Sequence, residues 1–384
     1  MSARLRVLST IGLLSLTVGA IAAAGAKGNP DEVRIGFLCP LTGVEAPTGA
    51  ELREAFELAC SERNADGGIK VGVNKRKVRL VLSDCQGKPD ETSSVQRLIR
   101  HHKVQLVVGS FSHGRGLSAA ELCQKHQIPI VILSTAGTEL TKKGEYVFRV
   151  PLADTLQATA MARFARNTLK AKTAGLFVEK TSASSATLGA RFQEVFKSAG
   201  GEIVSEQTYG SEDFDFRIQL TGFKDKNPDV IYIPGSHTSA GQIALQSRDL
   251  GLTSVLLGGD GWDSPKLLEI AGSSVEGAFY CAHFHPKEPR ASVARFVDAY
   301  GKRFTKPPSG LAALGYDIAR LVMSCVERAG SLKGPALQKA VASARGFSGV
   351  TGSITIDKER TAEKSTVIVS VTSSGVDFRE IFTP

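Results

Sequence analysis

Four short apolar runs in the first third of the chain constrain it more than any other feature. They are VRIGFL from Val33, VRLVLSD from Val78, LVVGS from Leu106 and PIVILS from Pro129. Each has the length and β-branched content of a strand. Helical patterns over 50–64, 92–101 and 116–126 fall between them. Strands separated by helices of roughly 10–15 residues build βαβ units, and therefore a parallel sheet with right-handed crossovers.

A second series repeats the logic. FRVPLADTLQATAMARFARNTL reads as one long helix, followed by the strand runs AGLFVE, GEIVSEQTY, DVIYIPGS, VLLGG and GAFYCAHF. Helical patterns over 188–199, 217–223 and 240–250 separate the first four of these. Helices over 292–304 and 311–329 come next, and GSITID with TVIVSV closes the chain as an antiparallel-looking pair. The expected fold class is α/β, with two doubly wound parallel-sheet lobes and a cleft between them. No low-complexity linker separates the halves, so hinge strands are expected to join them.

A length of 384 residues suits two domains, and 42% apolar with 22% charged residues excludes a disordered chain. The opening MSARLRVLSTIGLLSLTVGAIAAAGA has a basic start, an apolar core and a small-residue end, so residues 1–26 are expected to be a cleaved signal peptide. A retained anchor is disfavoured by the short Ala/Gly-rich core. No cysteine follows the cleavage site, so no lipid anchor is indicated. No later run approaches the roughly 20 apolar residues of a membrane span. Losing Arg4 and Arg6 takes the formal charge from +9 to +7, that is 9 − 2. The densest basic run, KVGVNKRKVR, reads as a solvated hairpin or loop and has no interleaved aromatics. A nucleic-acid partner is therefore not expected.

All six cysteines (Cys39, Cys60, Cys85, Cys123, Cys281 and Cys325) fall after the signal. Export permits disulfides, and six cysteines allow 15 pairings. Cys39 and Cys85 end strands expected to be neighbours, so they are candidates to pair. Cys60 and Cys123 lie in helical patterns and suit buried thiols.

Cofactor motifs are missing: no Gly-x-Gly-x-x-Gly follows a strand, and no phosphate-binding Gly-x4-Gly-Lys-Ser/Thr occurs. No cofactor is expected. CAHFHP puts Cys281, His283 and His285 on one face of a strand, a spacing open to metal. A hinge or edge strand with partly solvated histidines is the preferred reading, and no metal is assigned. His101 and His102 end a helix, where a cation suits the dipole.

LVVGSFSHGRG raises the question of a catalytic serine. A nucleophile elbow needs Gly-x-Ser-x-Gly, whereas Gly109 and Gly114 bracket the four residues Ser110-Phe111-Ser112-His113. Neighbours on one strand end rarely aim at each other, and no orienting acid is evident, so no enzyme is expected. Three loops, 39–49, 109–116 and 133–141, each follow a strand's carboxyl end, are rich in Gly, Ser and Thr, and lead into helical segments. In open α/β sheets ligands bind at those ends, and helix-start N–H groups favour a carboxylate. Any one loop is explained by helix capping; three together indicate a ligand. Opposite them, LLGGDGWDS offers Asp260 for an ammonium, Trp262 to cover an apolar group, and Asp263.

These residues carry a resemblance. VRIGFLCPLTG, ELACSERNADGGI, LVVGSFSHG, IPIVILSTAGTELT, YVFRVPLADTLQA, GQIALQSRDLGL, GGDGWDSPKLLEIAGSSVEGAFY and LGYDIARLV run in order through nearly the whole exported chain. The sequence resembles the periplasmic solute-binding proteins of the leucine/isoleucine/valine type, which deliver ligands to ABC importers. The resemblance implies a type I bilobal fold, with 33–150 plus 283–345 in one lobe and 151–282 plus 346–384 in the other. It implies a periplasmic protein, a small-molecule ligand and a membrane permease as partners, and closure of the hinge around the ligand. Carried over by position, Ser112 and His113 contact a ligand carboxylate, Ser134, Thr135 and Ala136 complete that grip, and Asp260 takes the ammonium. Three positions that carry aromatic rings in amino-acid binders of this type correspond to Thr48, Ser184 and Ser236. Small residues there widen the pocket, so an aromatic or larger acid, or an amide-like solute, is the alternative to an amino acid. A ligand sensor for a signalling receptor is the alternative to transport.

Overall fold

The structure is a computed structural model that describes residues 31–43, 45–85, 91–109, 113–133 and 138–384, without the side chains of 113–115, 138 and 139. The first part of the chain runs β1 (Glu32–Cys39), α1 (Ala46–Ala65), β2 (Ile69–Val71), β3 (Asn74–Asp84), α2 (Thr92–Arg100), β4 (Leu106–Gly109), α3 (His113–Lys125), β5 (Ile130–Ile132) and β6 (Val147–Arg149). The second series comprises α4 (Asp154–Asn167), β7 (Thr173–Glu179), α5 (Ala183–Ser198), β8 (Glu202–Tyr209), α6 (Arg217–Lys226), β9 (Val230–Ile233), α7 (His237–Asp249), β10 (Val255–Gly258), α8 (Pro265–Ala271) and β11 (Phe279–Ala282). The chain ends with α9 (Ala291–Phe304), α10 (Gly310–Ala329), α11 (Gly334–Ala342), β12 (Phe347–Gly349), β13 (Gly352–Ile356), β14 (Ala362–Lys364), β15 (Thr366–Thr372) and β16 (Gly375–Phe382).

Two large sheets result. The first has order β2-β3-β1-β4-β5-β6 and the second β16-β15-β11-β10-β9-β7-β8. Within each, five strands repeat one winding: β3-β1-β4-β5-β6 in the first and β8-β7-β9-β10-β11 in the second, all parallel. The winding reverses between β1 and β4, and again between β7 and β9. Those are the two switch points, and each opens a crevice at the strands' carboxyl ends. β1 explains why: Val33 to Cys39 are buried without interruption, as a strand covered on both faces must be.

Each sheet has a core on either face. Phe37, Phe56, Phe296 and Tyr316 anchor one face of the first, and Val95, Leu98, Val107 and Ile130 the other. Trp262, Tyr280 and Phe223 anchor one face of the second; Phe192, Phe196, Met161 and Tyr232 anchor the other.

The structure differs from the sequence reading in four places. The segment over 148–169 is not all helix, because β6 extends the first sheet before α4 begins. GSITID and TVIVSV do not pair: β13 joins a separate three-stranded sheet, β12-β13-β14, while β15 runs antiparallel between β11 and β16. Ile354, Ile356 and Ala362 are buried in the first core, so residues up to 364 pack with the first lobe rather than leaving it at 346. Buried Asp317 on α10 fixes that attachment by accepting from the N–H groups of Val350 and Thr351, each at 2.7 Å. Finally, the candidate pair Cys39 and Cys85 is not formed: all six cysteines are free and buried, as expected for Cys60 and Cys123. Cys39 and Cys85 are adjacent, the N–H of Cys85 donating to the Cys39 carbonyl at 3.1 Å, yet they are not bonded to each other.

The chain crosses between the two cores three times, after β6, after β11 and after β14. The crossings support one another. The Arg149 N–H donates to the Arg360 carbonyl at 3.0 Å, and the Thr366 hydroxyl donates to the Ala282 carbonyl at 3.0 Å. Among the described residues no helix is long and apolar enough to cross a membrane.

Candidate functional site

At the first switch point, the turn after β1 is clamped from the neighbouring strand. Asp84 accepts from the Leu41 N–H at 2.9 Å and the Thr42 hydroxyl at 2.8 Å. Gly49 sits so close beneath this turn that a Cβ would meet the Pro40 carbonyl oxygen at 1.7 Å. Only glycine lets the first turn of α1 approach, which sets half-buried Thr48 at the crevice. Gly109, with φ +147°, ends β4 against the Leu38 carbonyl, where any side chain would collide. His113 opens α3, and its side chain is not described. Ser112, Ser134, Thr135 and Ala136 lie outside the described residues.

The second lobe supplies the better-defined half. Asp260 follows β10 in a short 3-10 turn, Asp260–Trp262. Its N–H donates to the Gln157 side-chain oxygen at 2.8 Å, and its Oδ2 is 3.3 Å from Nε2 of His283. Burial holds the His283 imidazole below its ordinary pKa, against the opposing pull of Asp260. Ser184, in the first turn of α5, donates to Oδ2 of Asp154 at 2.8 Å. Burial pushes the Asp154 carboxyl up to about 6; the Ser184 bond and Arg149 oppose that, and the charge of Asp260 adds to it. Arg149 is buried at the end of β6 and interacts electrostatically with both carboxylates. Buried Lys364 donates to the Thr351 hydroxyl at 2.8 Å, and burial lowers its ammonium to about 8.

Two expected site residues have local duties instead. Trp262 is completely buried; its indole N–H donates to the Ile233 carbonyl at 3.1 Å and its ring packs on Gly258. The Gly258-Gly259 turn folds the indole back under β10, so it forms core beneath the crevice rather than a cover for a ligand. Exposed Ser236 caps α7 by accepting from the Ser239 N–H at 3.2 Å. Of the strand triplet, Cys281 and His283 do share a face, meeting Gln157 and Asp260 respectively, while His285 turns to the Val376 carbonyl at 3.1 Å. Sequence reasoning missed Arg149, Asp154 and Gln157. All three sit in VFRVPLADTLQ, which reads as an undivided helix until the crossing between lobes is known.

A cavity of about 630 Å³ joins the lobes beside Asp263, three residues past Asp260; Asp260, Asp154 and Ser184 themselves do not line it. The first turns of α1 and α10 line it with Thr48, Glu51 and Leu311, and the second lobe adds Asp263 and Tyr280. Its residues come from both sides of the crossings, so it is a cleft between two hinged bodies, with the size of a small-molecule site. Such an arrangement defines a two-lobed binding protein.

The sequence profile of the periplasmic binding protein family matches residues 32–376, and the chain belongs to that family. It is 28% identical to Leu/Ile/Val-binding protein homolog 3 of Brucella melitensis over 335 residues, 85% of this chain and 86% of that one. The fold is similar to a leucine binding protein from Thermotoga maritima, at TM-score 0.77 and 31% identity, covering 92% of this chain and 99% of that one. It is also similar to a solute binding protein of an ABC transporter from Rhodopseudomonas palustris BisB5 in complex with 3,4-dihydroxybenzoic acid, at TM-score 0.74 and 25% identity over 92% and 97%.

Proposed function

We propose that this protein is the extracytoplasmic solute-binding component of an ABC importer, and that it holds a small amino acid of the branched-chain type by closing its lobes. The observation that carries the reading is the cavity shared by both lobes, whose wall takes in Asp263, three residues after Asp260 at the carboxyl end of β10. A zwitterion needs opposite partners at its two ends. Asp260 meets the ammonium, while Ser112, His113, Ser134, Thr135 and Ala136 grip the carboxylate with hydroxyls and helix-start N–H groups. The names of the relatives, leucine and Leu/Ile/Val binding proteins, support the same ligand class. Export through a cleaved signal over 1–26, residence in the periplasm and delivery to a membrane permease belong to this proposal. Closure has the required form: two rigid cores joined by three short crossings pivot about them, and the permease reads the closed form.

One observation favours a second reading. Thr48, at a position where amino-acid binders of this type carry a ring, lines the cleft with a small side chain, and a similar protein was solved with a hydroxylated benzoate. An aromatic carboxylate is small enough for a cavity of about 630 Å³.

A thermal-shift panel on the purified protein tests both readings, using branched-chain and aromatic amino acids, benzoates and short amides. Ligand at about 100 times its dissociation constant adds about 2.7 kcal/mol of stability. Stabilisation by leucine, isoleucine or valine supports the amino-acid reading. A response to benzoates alone supports the second, and silence throughout contradicts both.

A further inference from the structure

We infer that Arg163 and Glu363 form an electrostatic brace behind the hinge, drawing the lobes towards the open form and so setting how tightly the cleft holds its ligand. The inference rests on the reading of the protein as a hinged clamp. A second cavity shared by the lobes, of about 340 Å³, lies on the far side of α4 from the Asp260 turn. On that helix Gln157 faces the turn, taking the Asp260 N–H at 2.8 Å, whereas Leu156, Thr159 and Arg163, at i, i+3 and i+7, line the cavity. Ala153, where the chain has just crossed from the first lobe, borders it too.

The walls carry opposite charge. Arg163 and Arg191 stand on the second lobe's wall, and Asp357 and Glu363, from the β13–β14 hairpin, on the first lobe's. Burial of Ile356 and Ala362 in the first core fixes that hairpin to its lobe. Two of the four charges are committed locally. Nε of Arg191 donates to the Thr159 hydroxyl at 3.0 Å and its Nη1 to Glu194 at 2.8 Å. Asp357 accepts the Thr361 N–H at 2.8 Å. The other two are uncommitted: among the described residues the Arg163 guanidinium lies 5.7 Å over the Phe382 ring without a carboxylate partner, and exposed Glu363 has no cationic one.

A cavity between hinged bodies changes shape as they turn. Because α4 separates this one from the cleft, shutting the cleft draws its walls apart and opening brings them together. Arg163 and Glu363 therefore approach in the open form and part in the closed one. Their attraction is a differential contact between two states, the only kind that shifts an equilibrium. Ligand selects the closed form, so the brace weakens apparent affinity by the factor it adds to the open population. Both side chains are long and solvated, which limits that factor to about two- to fivefold, the range of an exposed ion pair.

Calorimetry with leucine at low ionic strength tests the brace on wild type, on Glu363→Arg, and on the exchanged pair, Glu363→Arg with Arg163→Glu. Glu363→Arg is expected to bind leucine about two- to fivefold more tightly, and the exchanged pair to return to wild-type affinity. A change of size or strand propensity would not be rescued by the exchange. Glu363→Gln, which removes the charge alone, is expected to shift affinity in the same direction and stands in if the reversal does not fold. The gain is expected to shrink at about 1 M salt, where the screening length falls to about 3 Å. Unchanged or weaker leucine binding by the Glu363 variants, or a gain that the exchange leaves in place, overturns the inference. A wild type that binds no leucine overturns the amino-acid reading instead, and small-angle X-ray scattering of the ligand-free proteins then decides. A smaller radius of gyration for Glu363→Arg than for wild type supports the brace, and equal radii overturn it.

Discussion

The side-chain oxygen of Gln157 accepts the backbone N–H of Asp260 at 2.8 Å, tying the first turn of α4 to the turn that follows β10. α4 begins where the chain has just crossed from the first lobe, so this bond couples the hinge to the site. Gly259 permits it, since a Cβ there would press on the Gln157 oxygen at 3.0 Å.

Gln157→Leu keeps the size of the side chain but leaves the Asp260 N–H without its acceptor. An abandoned buried donor costs about 1–3 kcal/mol. Calorimetry is expected to show leucine bound roughly tenfold more weakly, with a lower melting temperature. Unchanged affinity in the folded variant contradicts the coupling.

Trp262 is core, and the chain has one tryptophan. Trp262→Ala is expected to destabilise the protein by about 3–5 kcal/mol in chemical denaturation. Trp262→Phe is expected to keep leucine affinity within a few-fold. A folded Trp262→Phe that has lost binding places the indole against the ligand after all.

The buried thiols predict alkaline lability. Burial raises Cys325 from 9.0 to about 11 and Cys60 to about 12, and raises Cys39, Cys123 and Cys281 further. The unfolded chain therefore releases these protons near pH 9 while the folded one retains them. Their contribution is complete below pH 9 and is lost as pH rises towards the folded values, at about 1.4 kcal/mol per pH unit for each thiol. Denaturation midpoints should fall steeply above pH 9. An Ellman titration should count six thiols in denaturant and none quickly in the native protein; four in denaturant indicates a disulfide, with Cys39 and Cys85 the adjacent pair.

Much of the fold is legible in the sequence because parallel strands buried on both faces cannot hide their apolar runs: Val33–Leu38 and Val107–Val108 declare themselves. β6 is not legible, since Val147–Arg149 is three residues long and abuts a strong helical pattern. The destination of β13 is also hidden, because Ile354 and Ile356 alternate as any half-buried strand does, and the contacts that commit them to the first lobe, such as the Asp317 clamp on Val350 and Thr351, are long-range. In the site, Asp260 stands out by following two glycines at a strand end. Arg149, Asp154 and His283 do not, since their meeting depends on crossings 100 and more residues apart.

The most direct test of the central claim, that Asp260 reads the ligand's ammonium from inside the cleft, is the leucine affinity of Asp260→Ala beside that of 4-methylpentanoate. Loss of leucine with the carboxylate retained is the predicted result. Undiminished leucine binding by the folded variant contradicts the account.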